Sequence, residues 1–137
     1  MTLGTPTTEG LGNRELMRAD VVTNYSIDAT QAAAPWPDTT HYKVIVPAGY
    51  AYYFYGGCFY RGVAATGISY VYDSGNHVVL ALGSAASAAS LASYPDSTLG
   101  NVMLPIKVEA GAYIQVTFNN AQNANSYASC YCLKVKC

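Results

Sequence analysis

Four cysteines, Cys58, Cys130, Cys132 and Cys137, are the side chains best suited by type to carry chemistry. Four thiolates match the ligand count of a structural zinc site, but zinc ribbons and fingers present Cys-x₂-Cys pairs on a tight turn. Cys130 and Cys132 instead flank a single residue of an alternating segment, which directs both to one face of a strand. From there they could meet Cys58 on a facing strand. The set reads as reduced structural thiols, with Cys58 to Cys130 or Cys132 as the disulfide to test and no metal assigned. The two histidines, His41 and His77, each open an expected strand. Neither has a carboxylate or thiol at ligand spacing, and no His-x-His pair exists to build a facial metal site.

Carboxylates offer as little. Glu9, Glu15, Asp20, Asp28 and Asp38 fall in the first forty residues, and Asp73 and Asp96 are turn residues. Glu109 alone sits at a corner of the body, and a glycosidase needs a second carboxylate facing it. The many serines include no Gly-x-Ser-x-Gly elbow. Gly56-Gly57 leads into Cys58-Phe59, not into the Lys and Ser/Thr of a phosphate loop. An enzyme on a jelly-roll frame therefore finds no support; the chain reads as non-enzymatic and without a cofactor.

The elements that position these residues are strands. Val46-Pro47-Ala48-Gly49-Tyr50-Ala51-Tyr52 and Val108-Glu109-Ala110-Gly111-Ala112-Tyr113 repeat one device: an alternating segment, an Ala-Gly corner, then a second segment. Glycine reaches positive φ without a Cβ clash, so each Ala-Gly reads as a strand-to-strand turn. Two uses of the device point to a body of two related halves. Period-2 patterning covers His41 to Val46, Ala51 to Tyr55, Ile68 to Tyr72, His77 to Leu82, Val102 to Val108, Ala112 to Phe118 and Tyr127 to Val135. Cys58 to Val63 is a weaker, glycine-interrupted candidate. Asp73-Ser74-Gly75-Asn76 is a hairpin turn by composition, and Pro105 belongs at an edge or bulge. The Ser84 to Ser93 run of Ala and Ser suits a short helix or a loop across one end. The fold expected is all-β, a single β-sandwich or jelly roll of about seven or eight strands occupying residues 41–137.

Residues 1–40 read differently, as an extended N-terminal arm. Met1 to Gly12 has no apolar periodicity, Asn13 to Arg18 could form one capped helical turn, and Val21 to Ile27 a short strand. Gln31 to Asp38 is a Pro-punctuated linker. An arm of this composition is expected to be held by a partner, with Leu11, Leu16, Met17 and Trp36 as its apolar anchors; the alternative is an arm folded back on its own body. The first residues carry no basic or apolar signal region, which implies synthesis in a cytoplasm.

Composition bears on partners. In 137 residues about half are hydrophobic, only 11% are charged, and the formal net charge is −1. Typical soluble domains carry roughly 25% charged residues, so this surface suits a subunit covered by neighbours. The scattered basic residues give no phosphate-binding patch, and no apolar run approaches the ~20 residues of a membrane span; nucleic acid and membrane are both disfavoured. Tyrosine is the strongest signal, with 13 copies. Tyr50, Tyr52, Tyr53, Tyr55 and Tyr60 cluster around Phe54 and Phe59, placing rings on both faces of one strand. One face fills the core; the other is a candidate oligomer interface, or a platform on which sugars stack.

The arm Met1 to Asp38, the two Val-x-Ala-Gly corners and the C-terminal strand Tyr127 to Lys136 together give a chain that resembles the capsid decoration, or cement, proteins of tailed bacteriophages. The resemblance covers the whole chain in style and rests on no diagnostic motif. It implies a structural virion protein, made in the host cytoplasm. Such proteins sit as homo-dimers or homo-trimers on the outer capsid surface and stabilise the shell by bridging subunits of the major capsid protein. The alternative is a phage fibre or other receptor- or carbohydrate-binding β-sandwich, marked by a cleft lined by several tyrosines with Asn and Asp nearby.

Overall fold

A computed structural model describes residues 25–96 and 103–137. The described residues form nine strands in chain order: β1 (Tyr25–Ala33), β2 (His41–Ile45), β3 (Tyr50–Tyr60), β4 (Ala65–Tyr72), β5 (Val78–Ala88), β6 (Leu91–Tyr94), β7 (Ile106–Val108), β8 (Tyr113–Phe118) and β9 (Tyr127–Lys136). They build two antiparallel sheets. The first runs β1-β9-β3, with β6 and β7 sharing the far side of β3, and the second runs β2-β8-β4-β5. This is the expected all-β sandwich, and among the described residues no segment is helical.

Alternation explains the core. On β8, Ile114, Val116 and Phe118 are buried, while Gln115 and Thr117 are half-exposed on the opposite face. Phe54 and Phe59 of β3, Leu82 of β5, Tyr94 of β6 and Val71 of β4 meet them between the sheets. Aromatic edges and faces lock the layers: Phe59 stands edge-on to Phe118 at 5.3 Å, and Phe54 stacks on Tyr94 at 5.6 Å. Burying rings of this size dominates the stabilisation of such a core.

The Ala-Gly corners carry the chain from one sheet to the other. Gly49 and Gly111 both have φ +84°. Each corner is closed by the same backbone bond: the Tyr50 N–H donates to Pro47 C=O (3.2 Å) and the Ala112 N–H to Glu109 C=O (3.0 Å). Positive φ at the third residue of such a turn is the conformation glycine supplies. The corners also lie side by side, because Val46 donates to Ala112 C=O (3.0 Å) and accepts from Gly111 N–H (2.9 Å). The Asp73 hairpin is as expected: Asp73 Oδ1 accepts from the N–H groups of Gly75 (2.8 Å) and His77 (2.9 Å) and fixes the β4–β5 turn.

Four expectations need correction. Residues 25–40 are not an arm. β1 is nine residues of the first sheet, paired along its length with β9. Trp36, expected as a partner anchor, stacks on Phe118 at 5.3 Å and stands edge-on to Tyr42 at 5.9 Å, so it seals its own core. The Ala/Ser run is extended: β5 continues to Ala88 and β6 begins at Leu91, because pairing with β4 overrides alanine's helical preference. β3 is one strand through Gly56-Gly57, with a register shift between Phe54 and Gly56. Leu11, Leu16, Met17 and the candidate helical turn at 13–18 lie outside the described residues.

Candidate functional site

Which side of the first sheet each tyrosine takes follows from register. On β3, Tyr52 opposes Lys134 and Phe54 opposes Cys132, whereas Tyr53 opposes Leu133, Cys58 opposes Ser129 and Tyr60 opposes Tyr127. Tyr52 and Phe54 are buried, so the second set faces outward. The five tyrosines of the expected interface therefore divide. Tyr52 is a core residue whose hydroxyl donates to Asp28 Oδ2 at 2.6 Å. Tyr50 packs against the core cluster, with Lys134 Nζ 4.8 Å from its ring centre. Tyr53, Tyr55 and Tyr60 face out.

Two further tyrosines complete that outer face, and alternation over Tyr127 to Val135 was the signal that could have found them. Tyr127 stacks on Tyr60 at 5.5 Å, and Tyr131 meets Tyr55 edge-on at 6.2 Å. Around them stand Leu133 and Val135 from β9, Ile27 from β1 and Leu91 from β6. Ile27 is 58% exposed, Leu91 60%, Tyr131 46% and Tyr55 42%. Among the outward strand residues of this sheet, Lys107 of β7 is the one Lys, Arg, Asp or Glu. Glu109 holds it at 3.2 Å and raises its pKa. The face is broad, aromatic and nearly free of charge, a composition suited to a half-wet protein interface.

The cysteines occupy both sides of the same sheet. Cys58 points outward, where its Sγ lies 3.2 Å from Ser129 Oγ. Cys130 and Cys132 point inward and are buried with their sulfurs 3.3 Å apart. All four cysteines are free thiols. Cys58 and the Cys130–Cys132 pair lie on opposite faces of one sheet, so no bridge joins Cys58 to Cys130 or Cys132. The Cys132 contact and burial push the Cys130 thiol well above its ordinary pKa, which makes it a poor nucleophile.

Beside these thiols a polar row closes the gap between the sheets. Asp28 and Thr30 of β1 share the inward face with Cys132 and Cys130. Thr30 Oγ1 lies 3.0 Å from the Tyr42 hydroxyl on the opposite sheet. Burial pushes the Tyr42 phenol up to about 12. Burial, and then the Asp28 hydrogen bond, raise Tyr52 further.

Both histidines have an aspartate neighbour, contrary to expectation. His41 Nδ1 lies 2.9 Å from Asp38 Oδ1, and His77 Nδ1 lies 3.2 Å from Asp73 Oδ2. The His41 hydrogen bond, with those from Thr40, holds the Asp38 carboxyl at about 2. Each pair closes a local turn. Glu109 has Lys107 as its partner. A concavity of about 350 Å³ lies between the β4–β5 hairpin and the second corner, with Val71, Val79 and Val108 as apolar walls and Asp73, Lys107 and Glu109 at polar positions. Tyr72 is the single tyrosine lining it, short of the several tyrosines expected of a sugar cleft.

A second aromatic group lies outside the other sheet. Tyr72 stacks on Tyr113 at 4.7 Å, Tyr70 stands edge-on to Tyr72 at 6.1 Å, and Lys43 Nζ sits 4.0 Å from the Tyr113 ring centre. The Tyr113 hydroxyl donates to Asn76 Oδ1 at 3.0 Å. Lys43 and Asn76 hold Tyr113, and through it this group is anchored within the molecule.

Comparison with known proteins finds no match to this chain among family models, curated proteins or solved structures.

Proposed function

We propose that the protein is a structural attachment module whose first sheet lies with its outer face against a protein surface. The setting that fits best is the outside of a viral capsid shell, in the manner of a decoration protein. The observation carrying this reading is the outer face built around Tyr53, Tyr55, Tyr60, Tyr127 and Tyr131, on which Lys107 is the one charged strand residue. Rigid rings with polar tips bind other proteins at low entropic cost and tolerate partial wetting. The face belongs to a broad sheet and not to a cleft, which favours a protein partner over a small molecule. On a repetitive shell, many weak contacts become durable because each anchored copy raises the effective concentration of the next contact.

Co-sedimentation with empty expanded shells of the virus that encodes the chain tests this. Wild-type protein is expected to pellet with shells, and Tyr55→Asp with Tyr131→Asp to reduce binding at least tenfold without changing the circular dichroism spectrum. Unchanged binding by the double variant contradicts the reading. Binding to a glycan array that the same substitutions abolish replaces it with the carbohydrate-binding alternative.

A further inference from the structure

A two-sheet sandwich has open edges, and natural proteins blunt them with short strands, bulges, proline or lysine. Three edges here follow that rule. β2 has five residues and runs into Pro47. β5 has eleven but loses register with β4 at three places. The far edge of the first sheet is divided between the four residues of β6, followed by Pro95, and the three of β7, preceded by Pro105.

β1 is the exception. Its nine residues, Tyr-Ser-Ile-Asp-Ala-Thr-Gln-Ala-Ala, contain no proline, lysine or arginine. All nine hold unbroken register with β9, from Tyr25 opposite Val135 to Ala33 opposite Tyr127. Alternate residues of an antiparallel strand turn their N–H and C=O groups away from the existing partner. Among the described residues no strand pairs with them, and they form a regular row along the outer side of β1. An inward-pointing charge is another way to guard an edge, but Asp28 is engaged inside its own sandwich by the Tyr52 hydroxyl at 2.6 Å.

We propose that β1 is the edge through which two copies of this chain associate, antiparallel about Ala29, joining their first sheets into one. The self-complementary register is what selects a second copy. A two-fold axis at Ala29, the midpoint of β1, sets Tyr25 opposite Ala33, Ser26 opposite Ala32, Ile27 opposite Gln31 and Asp28 opposite Thr30. All nine residues pair, and no like charges meet. A net charge of −1 per copy adds little repulsion. Opposed residues keep the same face, so the pair would present both tyrosine faces on one side as a single doubled surface. The proposal rests on strand geometry and holds whatever that surface binds.

Sedimentation velocity on the full chain, from low to high micromolar concentration, gives the test. Wild-type protein is expected to sediment as a dimer. Ala29→Lys and Ala29→Glu each place like charges directly opposite one another and should weaken the dimer at least tenfold. Mixing the two variants should restore it, because lysine then faces glutamate across the strands. Unchanged melting curves for both variants exclude misfolding as the cause. A monomeric wild-type chain overturns the proposal, as does Ala29→Lys dimerising like wild type. Failure of the mixture to recombine overturns the pairing about Ala29.

Discussion

Tyr42 and Tyr52 show how single hydroxyls tie strands together, Tyr42 joining the second sheet to β1 and Tyr52 joining β3 to β1 across the first sheet. Each is buried against the thiols of Cys130 and Cys132, and each spends its polar tip on β1, Tyr42 on Thr30 and Tyr52 on Asp28. Both phenols hold their protons more tightly in the folded chain, Tyr42 to about 12 against an ordinary value of 10.0. Below pH 10 the folded and unfolded chains bind these protons equally, and the stabilisation is complete. Above it the unfolded chain releases protons that the folded chain keeps, so stability falls as pH rises towards 12. The melting temperature is therefore expected to drop steeply above pH 10, and Tyr42→Phe to flatten that part of the curve. The thiols divide in the same way between inside and outside. An Ellman titration of native protein should find Cys58 and Cys137 reactive, and Cys130 and Cys132 reactive after unfolding; four fast thiols would contradict the buried pair.

At the scale of elements, the corners are the most readable feature. The Ala-Gly pairs are legible because a closed turn with positive φ at its third residue leaves glycine few rivals. They are not equally tolerant. A Cβ on Gly49 would meet open space, whereas one on Gly111 would come within 3.2 Å of Ser74 Cβ. Gly49→Ala should cost about 1 kcal/mol from backbone strain alone, and Gly111→Ala more. Chemical denaturation of the two variants compares them directly. Arg61, by contrast, was illegible among scattered basic residues. It is 2% exposed and grips the β3–β4 and β5–β6 crossovers. Its guanidinium donates to the carbonyls of Ala65 (2.7 Å), Ala86 and Ser90 (3.3 Å) and to Ser90 Oγ (3.0 Å). Arg61→Ala strands those acceptors and should cost about 3 kcal/mol. Arg61→Lys should restore only part of it, because an ammonium lacks the planar fork.

Across the whole molecule, sequence pattern was faithful where one face meets the core and the other meets water. β8 and the β4–β5 hairpin are of that kind. It failed for β1 and the end of β5, where small and polar residues carry no alternation and pairing with a neighbour decides the conformation. It failed again at Cys58, because nothing local reveals that β3 slips register after Phe54 and lies beside β9, not across from it. The outer face was half legible: Tyr53, Tyr55 and Tyr60 stand out in the β3 cluster, while Tyr127 and Tyr131 needed the β9 alternation. What emerges is a sandwich whose inside is settled by large rings and whose first sheet turns a nearly uncharged tyrosine surface outward. That surface makes attachment the central claim, and Cys58, set among the tyrosines, is a built-in reporter. Its alkylation rate, followed by mass spectrometry with Cys137 as the internal reference, measures occupancy directly. On shells carrying the protein, Cys58 is expected to become at least tenfold slower to alkylate while Cys137 changes less. Equal rates for free and attached protein would show that this face looks away from the partner and would contradict the account.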